Sequence, residues 1–436
     1  MLYRILKLIV GLGIRLYYRE TKVKNAHFLK HDGPMIIIAN HPNTLMDAWL
    51  VGNVCQQPIY YMAKGTFFSS PLKRRILQSL NMIPINRKVD GKIKGISNED
   101  SFAACYKILE EGKTLVIFPE GNSFPERQLR ELKSGTARIA LEAENRNNGK
   151  LNLKVVPMGL FYSEAEKFRS SVLVSVEQGL YVTDYLDAYR ENASLAAKKL
   201  TEKFRIHLER VLVTTESPEQ EKLLEDTFHI LWGIERERDV EHEVSFMKRI
   251  KDRMEEIQLV QPYLFEEIQQ LVTTIQWQSK KLEIHADFIH RRFRSRLYQM
   301  QLTLSILFLF LGLPLFLFGL VHNLVQYKLT DFLVQRMTKY VEYYAALGVL
   351  IGFVLYPLVY TLFLLGFNHL SEPALWLKIV YFISMPVSGI FAHTFARYLR
   401  RTGSKWKYIF LIMNQKDALK ELQAVQLNLK KLMLDH

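Results

Sequence analysis

In the first half of the chain, short apolar runs alternate with stretches whose apolar residues recur at helical spacing. "MIIIAN" (35–40), "IYYMA" (59–63), "MIPIN" (82–86), "TLVIFP" (114–119) and "KVVPMGLFY" (154–162) read as strands, with "SSVLVSVEQGLYV" (170–182) adding one more. Between them lie helical patterns such as Ser97 to Glu111, opened by a Ser97-x-x-Asp100 cap and stopped by Gly112. A helix from about Leu195 to Val211 closes the unit. Strands interleaved with helices predict an α/β domain over residues 21–213, a mixed, largely parallel sheet flanked by helices.

The pattern then changes twice. Residues 214–300 are rich in Glu, Lys, Arg and Gln and predict successive helices without chemistry of their own. Residues 301–397 carry uncharged apolar blocks at 302–325, 343–367 and 379–396. About 20 apolar residues cross a hydrocarbon core of about 30 Å, so the last two blocks predict a transmembrane helical hairpin. Arg291, Arg292, Arg294 and Arg296 precede the region, and Arg397, Arg400, Arg401, Lys405 and Lys407 follow it. Two basic flanks place both sides in the cytoplasm, which requires an even number of crossings. Gly312 and Pro314 in "FLGLPLF" therefore predict that the first block breaks and turns back, with a full span as the alternative. Residues 398–436 read as a basic segment and an amphipathic helical tail. At the other end, residues 1–20 place Arg4, Lys7, Arg15 and Arg19 on one helical face and Ile5, Ile9, Leu12 and Leu16 away from it. That suits a helix lying in the membrane interface, and equally one docked on the protein's own core.

Composition sharpens this picture. Hydrophobic residues make up 49% of the 436, and the net charge is +14. No nucleic-acid module is present and the basic clusters flank apolar blocks, so the expected partner is a lipid bilayer, with no nucleic acid. Cys55 and Cys105 read as buried small apolar residues in a reducing compartment. His27 and His31 stand at i, i+4 without a third ligand, and no metal site is expected.

Three polar groups each follow a predicted strand directly: His41, Arg87, and Glu120-Gly121. In an open α/β sheet, sites form beyond the carboxyl ends of parallel strands, so these groups converge if their strands run parallel. A His with a nearby carboxylate, here Asp47, serves as a general base, the Asp fixing its tautomer. Arg87 offers a bidentate fork for phosphate, and Glu120 an acceptor for sugar or glycerol hydroxyls. Each group has a plainer reading alone: Thr44-x-x-Asp47 as a capping pair, His41 as structural, Arg87 as a surface charge, Phe-Pro-Glu-Gly as a turn.

Together these residues resemble the glycerolipid acyltransferases of the PlsC type. Asn40-His41 through Asp47 resembles that family's first block, and Met82-Ile83-Pro84-Ile85-Asn86-Arg87 its second. Phe118-Pro119-Glu120-Gly121, with Lys133 and Gly135 in "LKSGTARIA", resembles the third, and Val155-Val156-Pro157-Met158-Gly159-Leu160 the fourth. The resemblance covers roughly residues 20–212. It departs twice from the common pattern: five residues rather than four separate His41 from Asp47, and Asn122-Ser123 stands where Thr-Arg is usual. Both departures resemble the fungal-type glycerol-3-phosphate/dihydroxyacetone-phosphate branch.

The resemblance implies transfer of a fatty acyl group from a thioester to a hydroxyl of a glycerol phosphate or lysophospholipid, in phospholipid synthesis. It implies His41 and Asp47 as catalytic, and Arg87, Glu120, Gly121, Asn122, Ser123, Arg127 and Lys133 as substrate-binding, with strand 154–162 bordering the acyl channel. It implies no cofactor beyond the co-substrate, acyl-CoA or an acyl carrier protein thioester, and an integral membrane protein whose site faces the cytoplasm. The missing Arg after Gly121 leaves a non-phosphate lysolipid, such as an amino-acid-headgroup lipid, as the alternative acceptor. A membrane scaffold or transport protein with a degenerate front domain is the alternative from another class.

Overall fold

The computed structural model describes residues 2–86, 97–233, 239–284 and 295–434. They divide into two units, the first comprising Met1–Pro218, Asp239–Val244 and Tyr340–Ala346. Among its described residues are strands β1 (Glu20–Lys24), β2 (Met35–Ala39), β3 (Ile59–Lys64), β4 (Met82–Ile85), β5 (Thr114–Ile117), β6 (Lys154–Tyr162), β7 (Ser171–Val176) and β8 (Leu180–Tyr181). The stretch read as one strand over 170–182 is thus two. Interleaved helices are α1 (Leu2–Tyr17), α2 (Thr44–Val54), α3 (Pro71–Ser79), α4 (Asn98–Glu110), α5 (Gly135–Arg146), α6 (Leu186–Glu191) and α7 (Ala193–Val211).

The strands form one sheet in the order β1-β7-β6-β2-β5-β3-β4, with β8 pairing β6. From β6 across to β4 every pairing is parallel, in registers such as Ile38↔Pro157 and Ile36↔Leu115; β6 runs antiparallel to β7 and β8. The sheet is mixed and largely parallel, as the alternation of strands and helices predicted. β2, β5 and β6 are buried along their whole length, as expected of strands covered on both faces. Ile36, Ile38, Leu115 and Val155 pack on one face against Ala137, Ala140, Leu200 and Phe204 of α5 and α7. Burial pushes the thiols of Cys55 and Cys105 up to about 12, which keeps them neutral.

Two later segments join this unit, so it extends beyond the 21–213 expected from sequence. Lys22 and Lys24 on edge strand β1 pair with Asp239 at 2.8 Å and Glu241 at 3.0 Å. Ala345 and Ala346 are buried.

Helix α1 is docked along one side on its own unit. Its Ile14, and Tyr17 and Tyr18 at its end, are buried, and Gly11 lies so close to Asn53 of α2 that a Cβ there would come within 2.8 Å. Its other side leaves Ile5, Leu8, Ile9, Leu12 and Leu16 exposed, Leu8 by 75%. Such a stripe is the surface that interfacial helices present to lipid. Helix α3 has no buried residue; its Leu72 and Ile76 stand exposed beside Lys73, Arg74 and Arg75.

The second unit comprises Glu219–Arg238, Ser245–Lys339 and Leu347–His436. Among its described residues are helices α8 (Pro218–Trp232), α9 (Val240–Val260), α10 (Pro262–Lys281), α11 (Ser295–Met337), α12 (Tyr344–Ser371), α13 (Leu375–Asn414) and α14 (Lys416–Leu434), except that the first residues of α8, α9 and α12 belong to the first unit. Among the described residues, Thr303–Met337, Val341–Ser371 and Leu375–Arg400 are long and apolar enough to cross a membrane.

The turn expected at Gly312 and Pro314 is absent: α11 runs through both without a break. In long apolar helices a proline is tolerated because neighbouring groups re-satisfy the freed carbonyl. Gly312 serves close packing instead, since a Cβ there would come within 2.6 Å of the Phe395 ring on α13. Gly319 is tighter still, its missing Cβ occupied by the Ser388 carbonyl. The apolar blocks are also more polar inside than their sequence suggested. His322 shares hydrogen bonds with Tyr381 Oη at 2.7 Å and Phe318 O at 2.8 Å, and Asn323 donates to Met385 O at 3.0 Å. The His322–Tyr381 and Asn323–Met385 bonds link α11 to α13.

Candidate active site

Strand β2 ends at Ala39, but its ladder continues through a side chain. Asn40 donates from Nδ2 to Leu160 O at 3.0 Å and accepts from Leu160 N at 2.8 Å. The chain then leaves the sheet at His41, at the carboxyl end of β2. The parallel neighbour β5 ends beside it and continues into the Phe118–Gly121 turn, closed by Gly121 N donating to Phe118 O at 3.0 Å. Gly121 needs its glycine there, at φ +78°.

That turn holds His41 from several sides. Glu120 Oε1 accepts from His41 N at 3.2 Å, and His41 O accepts from Ser123 Oγ at 2.7 Å and Phe124 N at 3.1 Å. The imidazole stacks on Phe118 at 4.0 Å between centroids and 11° between planes. Nδ1 meets Asp47 Oδ2 at 2.9 Å, and the His41 side chain is 19% exposed. With Nδ1 engaged, Nε2 is the nitrogen left for exchanging a proton with a substrate.

Asp47 has no exposed surface, so its charge depends wholly on partners. Besides His41, Oδ2 accepts from Asn43 N at 2.6 Å, and Oδ1 accepts from Tyr162 Oη at 2.5 Å. Tyr162 closes β6 and is itself buried. Burial, reinforced by the Asp47 charge, pushes its phenol well above the ordinary 10.0, so it stays protonated and donates. The capping reading also holds in part, since the Asn43 N bond is a helix-entry bond made by Asp47 in the first turn of α2.

Between His41 and Asp47, Thr44 adopts φ +41°. A left-handed conformation costs an L-residue about 1–2 kcal/mol, and β-branched residues seldom adopt it. Three hydrogen bonds offset that cost here. Thr44 N donates to Ser123 Oγ at 3.1 Å, Thr44 Oγ1 to Glu342 O at 2.9 Å, and Met46 N to Asn43 O at 2.9 Å.

The remaining sequence candidates are placed as follows. Both oxygens of Glu120 are engaged, Oε2 accepting from Arg130 N at 3.2 Å. Burial raises its carboxyl above the ordinary 4.5, against the lowering effect of these amide bonds. Gly121 and Lys133 are neighbours, and Lys133 N donates to Pro119 O at 2.8 Å. The Lys133 ammonium reaches outward to Glu131 at 3.6 Å. Asn122 is half-buried between Gly121 and Ser123. Arg127 lies over the Phe161 ring at 4.7 Å, and its charge also acts on Glu243, whose carboxyl burial raises to about 7. Arg87 lies outside the described residues. The strand before it, β4, runs parallel to β3, and Asn86 at its end exchanges hydrogen bonds with Asn98. The structure thus brings His41, Asp47, Glu120 and Ser123 into one constellation.

Sequence reasoning missed Asn40's sheet-extending role, the Phe118 stack and Tyr162. A tyrosine ending an otherwise apolar strand was the available signal for Tyr162, but its pairing with β2 rather than another strand was not visible. Among the described residues, no group of three or more His, Cys, Asp or Glu side chains is arranged to hold a metal ion.

The family model described as Acyltransferase matches residues 20–160. Glycerol-3-phosphate O-acyltransferase 2 of Saccharomyces cerevisiae is 34% identical over 111 residues, 24% of this chain and 15% of that protein. Glycerol-3-phosphate O-acyltransferase 1 of the same yeast is 31% identical over 112 residues, covering 25% and 15%. The alignments therefore span only a small part of these relatives' own length. The crystal structure of the 1-acyl-sn-glycerophosphate (LPA) acyltransferase PlsC from Thermotoga maritima aligns with a TM-score of 0.32 and 18% identity, over 46% of this chain and 80% of that one.

Proposed function

We propose, from the premise that residues 20–160 form an acyltransferase-family domain, that the chain is a membrane-bound O-acyltransferase. It moves a fatty acyl group from an acyl thioester to a hydroxyl of a glycerol phosphate or lysophospholipid. The observation that carries this reading is the His41–Asp47 pair at 2.9 Å, held at the carboxyl edge of a largely parallel sheet with Nε2 left for a substrate.

In the reaction, His41 Nε2 takes the proton of the acceptor hydroxyl as that oxygen attacks the thioester carbonyl. Asp47 stabilises the imidazolium that forms, and the tetrahedral intermediate collapses by breaking its C–S bond. The imidazolium returns the proton to the departing thiolate, so the products are the ester and the free thiol of coenzyme A or acyl carrier protein. A base in this position contributes about 10²–10⁴-fold. No cofactor enters the scheme. Arg87 and Lys133 are assigned to the acceptor phosphate. Glu120, both of whose oxygens meet backbone amides, is assigned to holding His41. The active site faces the cytoplasm, and the exposed stripe of α1 lies in the lipid interface from which the acceptor is drawn.

The test is acyl transfer by the purified full chain in lipid nanodiscs, against glycerol-3-phosphate, lysophosphatidate and amino-acid-headgroup lysolipids, with acyl-CoA and acyl carrier protein donors. His41→Ala should lose turnover at least a hundredfold while remaining folded. Full turnover in that variant would sink the assignment. Asn122-Ser123 at the position of a common Arg favours the non-phosphate acceptor as the second reading. The acceptor panel separates the two.

A further inference from the structure

The two departures from the common block pattern, an extra residue after His41 and a Ser at position 123, meet in space. Ser123 Oγ donates to His41 O at 2.7 Å and accepts from Thr44 N at 3.1 Å. One hydroxyl therefore bridges the residue bearing the base and the left-handed residue on the path to Asp47. From the other side, Thr44 Oγ1 donates at 2.9 Å to Glu342 O, in the short Tyr340–Ala346 segment that packs within the same unit. Thr44 is buried, so these partners stand in for water.

We infer that Ser123, together with the docked Val341–Tyr343 turn, is a clamp that sets the His41–Asp47 geometry by holding Thr44 at positive φ. On this inference Ser123 is a positioning residue, not one that contacts the acceptor. Three observations converge on that role. The hydroxyl is used as donor and as acceptor, both times toward backbone of the catalytic loop. Thr44 is a β-branched residue in a conformation it disfavours, which persists only where its surroundings over-determine it. Asn43 N and Met46 N make the adjoining bonds of the same turn, so the path from His41 to Asp47 is tied down on both sides of Thr44. A segment more than two hundred residues downstream, 340–346, thereby becomes part of the catalytic scaffold.

The inference rests on His41 acting as the base, and its test keeps the two separable. Ser123→Ala, Ser123→Thr and Thr44→Ala are assayed in the full chain beside His41→Ala, with kcat and acceptor KM measured separately. Ser123→Ala removes both bonds and should lower kcat at least about tenfold, the equivalent of roughly 1.4 kcal/mol, with acceptor KM unchanged. Thr44→Ala should lower kcat in the same way and to a smaller extent. Ser123→Thr, which keeps the hydroxyl, should restore most of the rate. Hydrogen exchange of the peptide covering residues 41–50 should quicken in Ser123→Ala and Thr44→Ala, with overall melting temperature nearly constant. A raised acceptor KM at unchanged kcat in Ser123→Ala would make Ser123 a binding residue and overturn the clamp. So would unaltered kinetics in Ser123→Ala beside an inactive His41→Ala. An active His41→Ala would overturn the proposed base and the clamp built on it.

Discussion

Tyr162→Phe is the most discriminating single substitution for the proposed catalytic pair. It removes one oxygen from a buried site and leaves the ring, so no cavity forms and packing against Tyr18, 5.8 Å away between ring centroids, is kept. What is lost is the donor to Asp47 Oδ1. A hydrogen bond to a charged group is worth about 1.5–3 kcal/mol, and the buried Asp47 has no water to replace it. The remaining donors, Asn43 N and His41, both serve Oδ2. The hold on Asp47, and through it on His41, should therefore weaken by about 1.5–3 kcal/mol, and turnover should fall about ten- to a hundredfold. The assay is kcat at saturating donor and acceptor, alongside thermal unfolding. A Tyr162→Phe enzyme with unchanged kcat and unchanged melting temperature would show that Asp47 does not depend on this bond.

Further outcomes follow from the same geometry. The Glu243 carboxyl stands at about 7 against an ordinary 4.5. Its contribution to stability is full below pH 4.5 and lost as pH rises through about 7, at most about 3 kcal/mol. Glu243→Gln should accordingly melt higher than wild type at pH 8 and match it near pH 5; equal melting at both would refute the buried carboxyl. Gly121 and Gly112 both sit at positive φ, +78° and +71°, with room for a methyl group. Alanine at either should cost about 1–2 kcal/mol of stability by denaturant titration, but only Gly121→Ala should also reduce turnover, since its turn carries Glu120. Gly319→Ala should destabilise the α11–α13 pair by about 1–3 kcal/mol through overpacking. Gly366, with nothing within 4 Å of a methyl group, should accept alanine without loss. Melting of the two variants in detergent decides it.

The sequence alone determined most elements of the front domain, because strand and helix periodicities differ; it missed the edge strand β1 and merged β7 with β8, whose pairing is not a local property. The parallel sheet followed from the alternation, and with it the meeting of His41 and Glu120, since parallel strands end on one edge whatever their order. Local pattern could not say what each polar group does once there. Glu120 looked like a hydroxyl acceptor for substrate, but only the folded chain brings two backbone amides onto its oxygens. Tyr162 was hidden because its partner lies 115 positions away in the chain. The break expected at Gly312 and Pro314 failed for a related reason. Helix-breaking is a preference of an isolated segment, and close packing on Phe395 of α13 gives that glycine a different use. The extra residue before Asp47 shows the division most directly. Its presence was plain in the one-dimensional spacing, but whether it separates base from carboxylate depended on Thr44's φ, which is set by Ser123 and by a carbonyl at Glu342. Contacts of that sequence separation are a property of the tertiary fold, and no local rule encodes them.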